Sequence, residues 1–257
     1  MTARSSARRG NPEARMALAD HLRELRKRII LSAVGIVVGM VGGWLLYPMI
    51  FESLLEPIVA IAEQDDSLVT VNFGGVASAL DMQIKVSLVL GIVLSAPWWL
   101  YQLWAFVAPG LHQREKRYTV AFLGSAIPLF FGGVAVAWWV LPRAVEILIS
   151  FTPEGAANLL DAQTFLTFAV RLILAFGLAF VFPVIMVAVT WVGIVKAQTW
   201  LHGWRWAVFL ICLAAAVLTP TPDAVTMMVM AVPMVGLYFS AVGVCLLRDR
   251  AVRRRAA

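Results

Sequence analysis

Two carboxylates stand among bases in this chain: Glu24 within His21-Leu22-Arg23-Glu24-Leu25-Arg26-Lys27-Arg28, and Glu115 within Arg114-Glu115-Lys116-Arg117. An acid in such a setting can receive a cationic ligand. A guanidinium meets a carboxylate as a two-bonded fork, so two separated carboxylates suit a peptide that carries adjacent arginines. A plainer chemistry accounts for the same residues. Glu24 faces Arg28 four positions on, in the favourable order for a helical ion pair, and Glu115 has cations on both sides, so solvated pairs worth about 0–1 kcal/mol would result. Spacing alone leaves both readings open.

Other chemistry is thinly represented. His21, His112 and His202 are isolated from one another, and no His, Cys and carboxylate spacing suits a metal. No serine sits in a G-x-S-x-G turn and no glycine-rich loop reads as a phosphate cradle, so neither an enzyme nor a cofactor is expected. Lys85 and Arg171 fall inside apolar stretches, each near an end from which it can snorkel to the interface. No acid lies where a midplane proton relay would need one. Cys212 and Cys245 sit at depths about 20 Å apart on their helices, whereas a disulfide needs Cα atoms within roughly 7 Å, so two free thiols are expected. Arg8-Arg9 has no apolar run close behind it and reads as part of a basic tail.

The elements that carry these residues are set by hydrophobicity. Six runs are nearly free of charge: Ile29–Ile50, Gln83–Val107, Thr119–Leu141, Thr164–Trp191, Arg205–Leu218 and Ala224–Leu247. Most reach the roughly 20 residues a spanning helix requires. Eighteen of the 21 Lys and Arg residues lie in the tails and loops on one side of these runs, while the alternate loops carry acids. Positive charge marks the cytoplasmic side of a membrane protein, so both termini are expected there. With 61% hydrophobic and 14% charged residues, a soluble fold would have too little polar surface. The sequence pI of about 9.8 thus reports topology and not nucleic-acid binding. Ile29–Ile50 is too long for a cleaved signal and stays attached.

Residues 1–15 read as a disordered basic tail, 16–247 as the six-span membrane domain and 248–257 as a second basic tail. Asn11-Pro12-Glu13 has the cap, proline and acid of a helix start. Leu18, Leu22, Leu25 and Ile29 then form one apolar stripe, which predicts an amphipathic helix in the headgroup plane that turns into the first span. Residues 51–82 predict a folded outer cap of short helices. Pro97, Pro128, Pro183 and Pro233 fall inside spans, where each removes a backbone donor. The fifth run gives only about 20 Å of helix against a core of about 30 Å, which predicts local thinning or cover by a partner helix. No internal repeat is visible, which counts against an inverted-repeat transporter.

His-Leu-x-Glu-Leu-Arg-x-Arg, ahead of the first span, resembles the opening of the TatC family, the core of the twin-arginine protein translocase. A second block agrees: Ser95-Ala96-Pro97, then Tyr101-Gln102-Leu103-Trp104-Ala105-Phe106-Val107-Ala108-Pro109-Gly110-Leu111, then Glu115. Phe176-Gly177 through Phe180 to Pro183-Val184 is similar to the family's fourth span. Leu218-Thr219-Pro220 with Pro222-Asp223 resembles its last outer turn. The resemblance covers about residues 16–247.

It implies an all-α membrane protein with six transmembrane helices in the bacterial plasma membrane, acting as receptor and scaffold. The expected ligands are twin-arginine signal peptides of folded precursors, and the expected partners are TatA- and TatB-type single-span proteins in an oligomeric assembly driven by the proton-motive force. By position, Glu24, Glu115, Arg26 and Phe106 match the family's signal-peptide-binding residues. Pro57, Pro97, Gln102 and Asp223 are the structural or assembly positions. One departure stands out: many members carry Glu in the fourth span between the Phe and the Pro-Val, and here that place is Val181. The alternative function is an ion-coupled small-solute transporter, which would need a midplane charge or repeat symmetry.

Overall fold

The computed structural model describes residues 18–64, 75, 77–107, 116–149, 161–192, 195–218 and 224–256. They form eight helices: α1 (Leu18–Gln64), α2 (Ser78–Leu94), α3 (Ala96–Val107), α4 (Lys116–Ile149), α5 (Ala162–Val192), α6 (Ala197–His202), α7 (Trp204–Leu218) and α8 (Ala224–Ala256). Four are long and apolar enough to cross a membrane, five if α2 and α3 count as one broken span, and α7 is a shorter apolar helix.

The first helix departs from the sequence expectation. The stripe before the first span, the span itself and the start of the outer loop are one helix of 47 residues, about 70 Å long. The predicted turn out of the headgroup plane is absent, because nothing between Leu18 and Val34 is a glycine or proline and the i→i−4 ladder has no cause to stop. The predicted cap is likewise replaced, over residues 51–64, by the end of α1. Pro57 lies within that helix.

The second apolar run is broken where a single span was expected. Helices α2 and α3 meet at an angle of 61°. Pro97 has no N–H to offer Val93, so the ladder fails one turn before it. Side chains then repair the break: Ser95 Oγ donates to Gly91 O at 2.7 Å and Trp99 Nε1 to Ile92 O at 2.9 Å. Trp98 Nε1 reaches the neighbouring helix, donating to Leu31 O at 2.8 Å. The bend is thereby hydrogen-bonded to α1 as well as to itself.

Helix α5 is the centre of the molecule. Leu166, Phe168, Ala169, Leu172 and Phe176 on it are buried against Met82 and Val86 of α2, Ala137 and Leu141 of α4, and Met230 and Met234 of α8. A second cluster joins Ala96, Leu100 and Trp104 of α3 to Phe122, Ala126 and Phe130 of α4 and Val181 of α5. Helix α1 joins this core only near its C-terminal part, through Leu54 with Tyr47, Ile50, Phe51 and Leu55 packed beside it, and meets α2 backbone to backbone. A Cβ on Gly39 would sit 2.6 Å from Gly91 O, and one on Gly91 2.7 Å from Met40 N. Only glycine allows that approach.

One face of α1 shows its apolar side chains outward. Val34, Val38, Val41, Leu45 and Met49 are all exposed, as are Trp206, Phe209, Leu210 and Val217 of α7. Apolar surface on this scale is tolerated in lipid and not in water. At one end of the bundle, Lys85 pairs with Asp81 at 2.6 Å, and Gln163 Nε2 donates to the same carboxylate at 3.2 Å. Lys85 therefore has an acidic partner one turn away on its own helix. Cys212 and Cys245 are free thiols.

Candidate functional site

The N-terminal part of α1 and the short helix α3 run beside one another and leave a groove between them. Leu25, Arg28, Ile29, Ser32 and Ile36 line it from α1; Trp99, Gln102, Leu103 and Phe106 line it from α3. Its volume is about 360 Å³. The helical period explains the α1 set, since residues 25, 28, 29, 32 and 36 recur every three or four positions and share one face. Gln102 and Phe106, four apart, share a face of α3 in the same way.

A chain of charge-assisted hydrogen bonds crosses the mouth of the groove. Arg28 Nε donates to Glu24 Oε1 at 2.6 Å, and Arg28 Nη1 donates to Gln102 Oε1 at 2.8 Å. Gln102 is buried, and the Arg28 and Glu24 side chains keep about 24% and 34% of their accessibility. The guanidinium is thus divided between two acceptors on two helices. It satisfies a buried amide on α3 while holding the α1 carboxylate at the rim. Glu24 Oε2 takes no hydrogen bond from the described residues.

The residues singled out from sequence separate into groups. Gln102 and Phe106 line the groove, and Glu24 is joined to it through Arg28. Arg26 is exposed on another side of α1, two positions and roughly 200° around the helix from Glu24. Pro97 is exposed in the first turn of α3 and sets the bend that aims Gln102 and Phe106. Pro57 lies far along α1 from the groove. Glu115 and Asp223 lie outside the described residues.

Sequence reasoning missed the part played by Arg28. Its pairing with Glu24 is readable from the i, i+4 spacing, but its bond to Gln102 spans 74 positions and has no local signature. Trp98 and Trp99 were missed for the same reason.

The environment of Val181 can also be stated. It is buried in the apolar cluster with Leu100, Trp104, Phe122 and Phe130. The buried polar side chains of Gln102 and Thr190 make their hydrogen bonds elsewhere. Gln102 is engaged by Arg28, and Thr190 donates to Met186 O at 2.9 Å while accepting from Trp200 Nε1 at 3.1 Å.

This arrangement matches known proteins over most of its length. The family model of Sec-independent protein translocase protein (TatC) matches residues 20–233. A TatC of Xylanimonas cellulosilytica is 51% identical over 243 residues, covering 95% of this chain and 88% of the relative. The chain belongs to the TatC family. A TatC of Rothia mucilaginosa is 37% identical over 251 residues, covering 97% of this chain and 86% of the relative. Among solved structures, a crystal structure of the twin-arginine translocase receptor TatC in DDM superposes with a TM-score of 0.80 at 29% identity, covering 88% of this chain and 99% of that one. Membership makes the protein a multi-pass component of the Tat translocase in the bacterial plasma membrane, and not an enzyme.

Proposed function

We propose that this TatC-family chain is the receptor and scaffold of its translocase, and that the groove between α1 and α3 captures the arginine pair of a signal peptide. The observation that carries this reading is the Glu24 carboxylate, bonded to Arg28 of the groove lining, whose guanidinium also holds Gln102. Glu115, from the loop before α4, is the second carboxylate. Phe106 lines the groove from α3, and Arg26 supports the local field from the other side of α1.

Ion pairs at a headgroup boundary contribute about 1 kcal/mol each, so they specify more than they bind. Most of the affinity then comes from the apolar part of the signal peptide, at about 25 cal/mol per Å² of surface removed from water or lipid headgroups. The groove and the exposed apolar flank of α1 provide that surface.

In this reading the four long apolar helices, the bent α2–α3 pair and α7 make six spans, with both termini in the cytoplasm. The excess of Lys and Arg on the groove's side supports that orientation. TatA- and TatB-type single-span partners dock on lipid-facing helices, the short α7 among them, and Pro57 and Asp223 serve the assembly from the opposite side. Export of folded precursors draws on the proton-motive force. Residues 16–247 form the working domain between basic tails.

The test is a double variant, Glu24→Gln with Glu115→Gln, in membranes that contain the partner subunits. Binding of a twin-arginine signal peptide should fall at least about tenfold while insertion and protein level stay unchanged. Undiminished binding would remove both carboxylates from recognition.

A further inference from the structure

The geometry points to a binding site for an anionic phospholipid at the start of α7, where a cavity of about 420 Å³ is lined by Leu201, His202, Trp204 and Arg205. The site is separate from the groove between α1 and α3 and does not depend on what that groove binds. Helices α6 and α7 share one hydrogen-bond ladder across Gly203, whose N–H donates to Thr199 O and whose carbonyl accepts from Ala207 N, both at 3.0 Å. Leu201 and His202 therefore stand one helical turn before Arg205, on the same side of the chain.

The lining combines a cation with apolar walls. Arg205 is exposed, its guanidinium lies 5.7 Å from the centre of the Trp204 ring, and it makes no ion pair among the described residues. Between Asp161 and Asp223 the chain contains no acid, so no carboxylate on α6 or α7 neutralises it. Lys196, exposed just before α6, adds a second base. His202 Nδ1 donates to Gln198 O at 2.8 Å, since a carbonyl can only accept, and this leaves Nε2 as the ring atom for a ligand. Leu201 and Trp204 are exposed around these polar groups, and Trp206 and Phe209 continue the apolar surface along α7. An anionic head with an apolar tail matches both halves: its phosphate meets Arg205, and its acyl chains pass Trp206 and Phe209 into the bilayer.

The length of α7 selects a lipid over a soluble anion. From Trp206 to Leu218 the purely apolar helix is only about 20 Å long, against a hydrocarbon core of about 30 Å. The bilayer thins around such a helix, which brings headgroups to the level of Arg205. Trp204 and Trp206 flank that arginine as interfacial aromatics do. The lipid head takes only the first turn of α7, so Leu213 and Val217, exposed further along, stay available to a helical partner.

The experiment titrates the full-length protein, in a neutral maltoside, with phosphatidylglycerol or with phosphatidylcholine of the same chain length, and counts retained lipids by native mass spectrometry. Phosphatidylglycerol should bind at least about fivefold more tightly, the effect of one base at an anionic surface. Arg205→Gln should bring that preference below about twofold, while Lys27→Gln, which removes the same charge from α1, leaves it intact. Leu201→Glu places a carboxylate one turn before Arg205 and should abolish the preference as well, which covers the case in which Arg205→Gln fails to insert. Equal retention of the two lipids by the unaltered protein overturns the site. Equal losses in Arg205→Gln and Lys27→Gln also overturn it and leave only the general attraction of a basic surface. Inorganic phosphate at the same concentration should not displace the lipid; displacement would make the site one for a soluble anion and overturn the lipid assignment.

Discussion

At the scale of single residues, the hydrogen bonds that matter most are those made where a helix begins or ends. Asp161 precedes α5, and its Oδ2 accepts from Thr164 N at 2.9 Å and from Thr164 Oγ1 at 2.6 Å. These bonds favour the ionised form, so the Asp161 carboxyl titrates below its ordinary value of 3.8. Its contribution is therefore complete above the unfolded value and is lost as pH falls through the folded one. Asp161→Ala should lower stability by about 1 kcal/mol, the usual cost of a lost N-cap. Thermal stability in detergent should show that deficit at neutral pH, and the gap between the two proteins should close as pH falls through the lowered Asp161 value. The opposite end of α5 is fixed differently: Arg248 Nη1 donates to Thr190 O at 2.8 Å, and Tyr238 Oη donates to Trp200 O at 2.5 Å, joining α6 to α8. Tyr238→Phe leaves the Trp200 carbonyl without that donor and should cost about 1 kcal/mol, read as a lower melting temperature.

At the scale of helices, the position of α1 decides whether a groove exists. Because α1 touches α2 through Gly39 and Gly91, a side chain at either place must push the two helices apart. Gly91→Val should destabilise the protein by about 1–3 kcal/mol, as overpacking does. It should also weaken signal-peptide binding, because it moves Glu24 and Arg28 relative to Gln102; a variant with lower stability and unchanged peptide affinity would show that the groove tolerates the shift. Here the sequence was informative about some features and silent about others. The apolar runs were legible because a spanning helix needs a long uncharged stretch. The unbroken length of α1 was not, since Glu52, Glu56 and Pro57 have the composition of a loop, yet the helix continues through them. Pro97 announced a disturbance in the second run, but the 61° break depends on capping by Ser95, Trp98 and Trp99, which no periodicity encodes.

At the scale of the whole molecule, charge and hydrophobicity divide the work. Lipid-facing apolar surface holds the chain in the membrane, and the groove between α1 and α3 brings together a buried amide, an aromatic ring and an arginine that is paired with a carboxylate. Glu24 and Phe106 stood out as candidates through the sequence blocks that resemble the TatC family. The link from Glu24 through Arg28 to Gln102 did not, because it depends on α3 folding back beside α1. The measurement that tests the receptor role most directly is site-specific photocrosslinking from position 103, which lines the groove without touching Glu24's bonds. Export precursors with an Arg-Arg signal should crosslink in native membranes, and their Lys-Lys counterparts should not. Equal crosslinking of both, or none from either, would contradict the account and leave Glu24 and Arg28 as an ion pair that only joins α1 to α3.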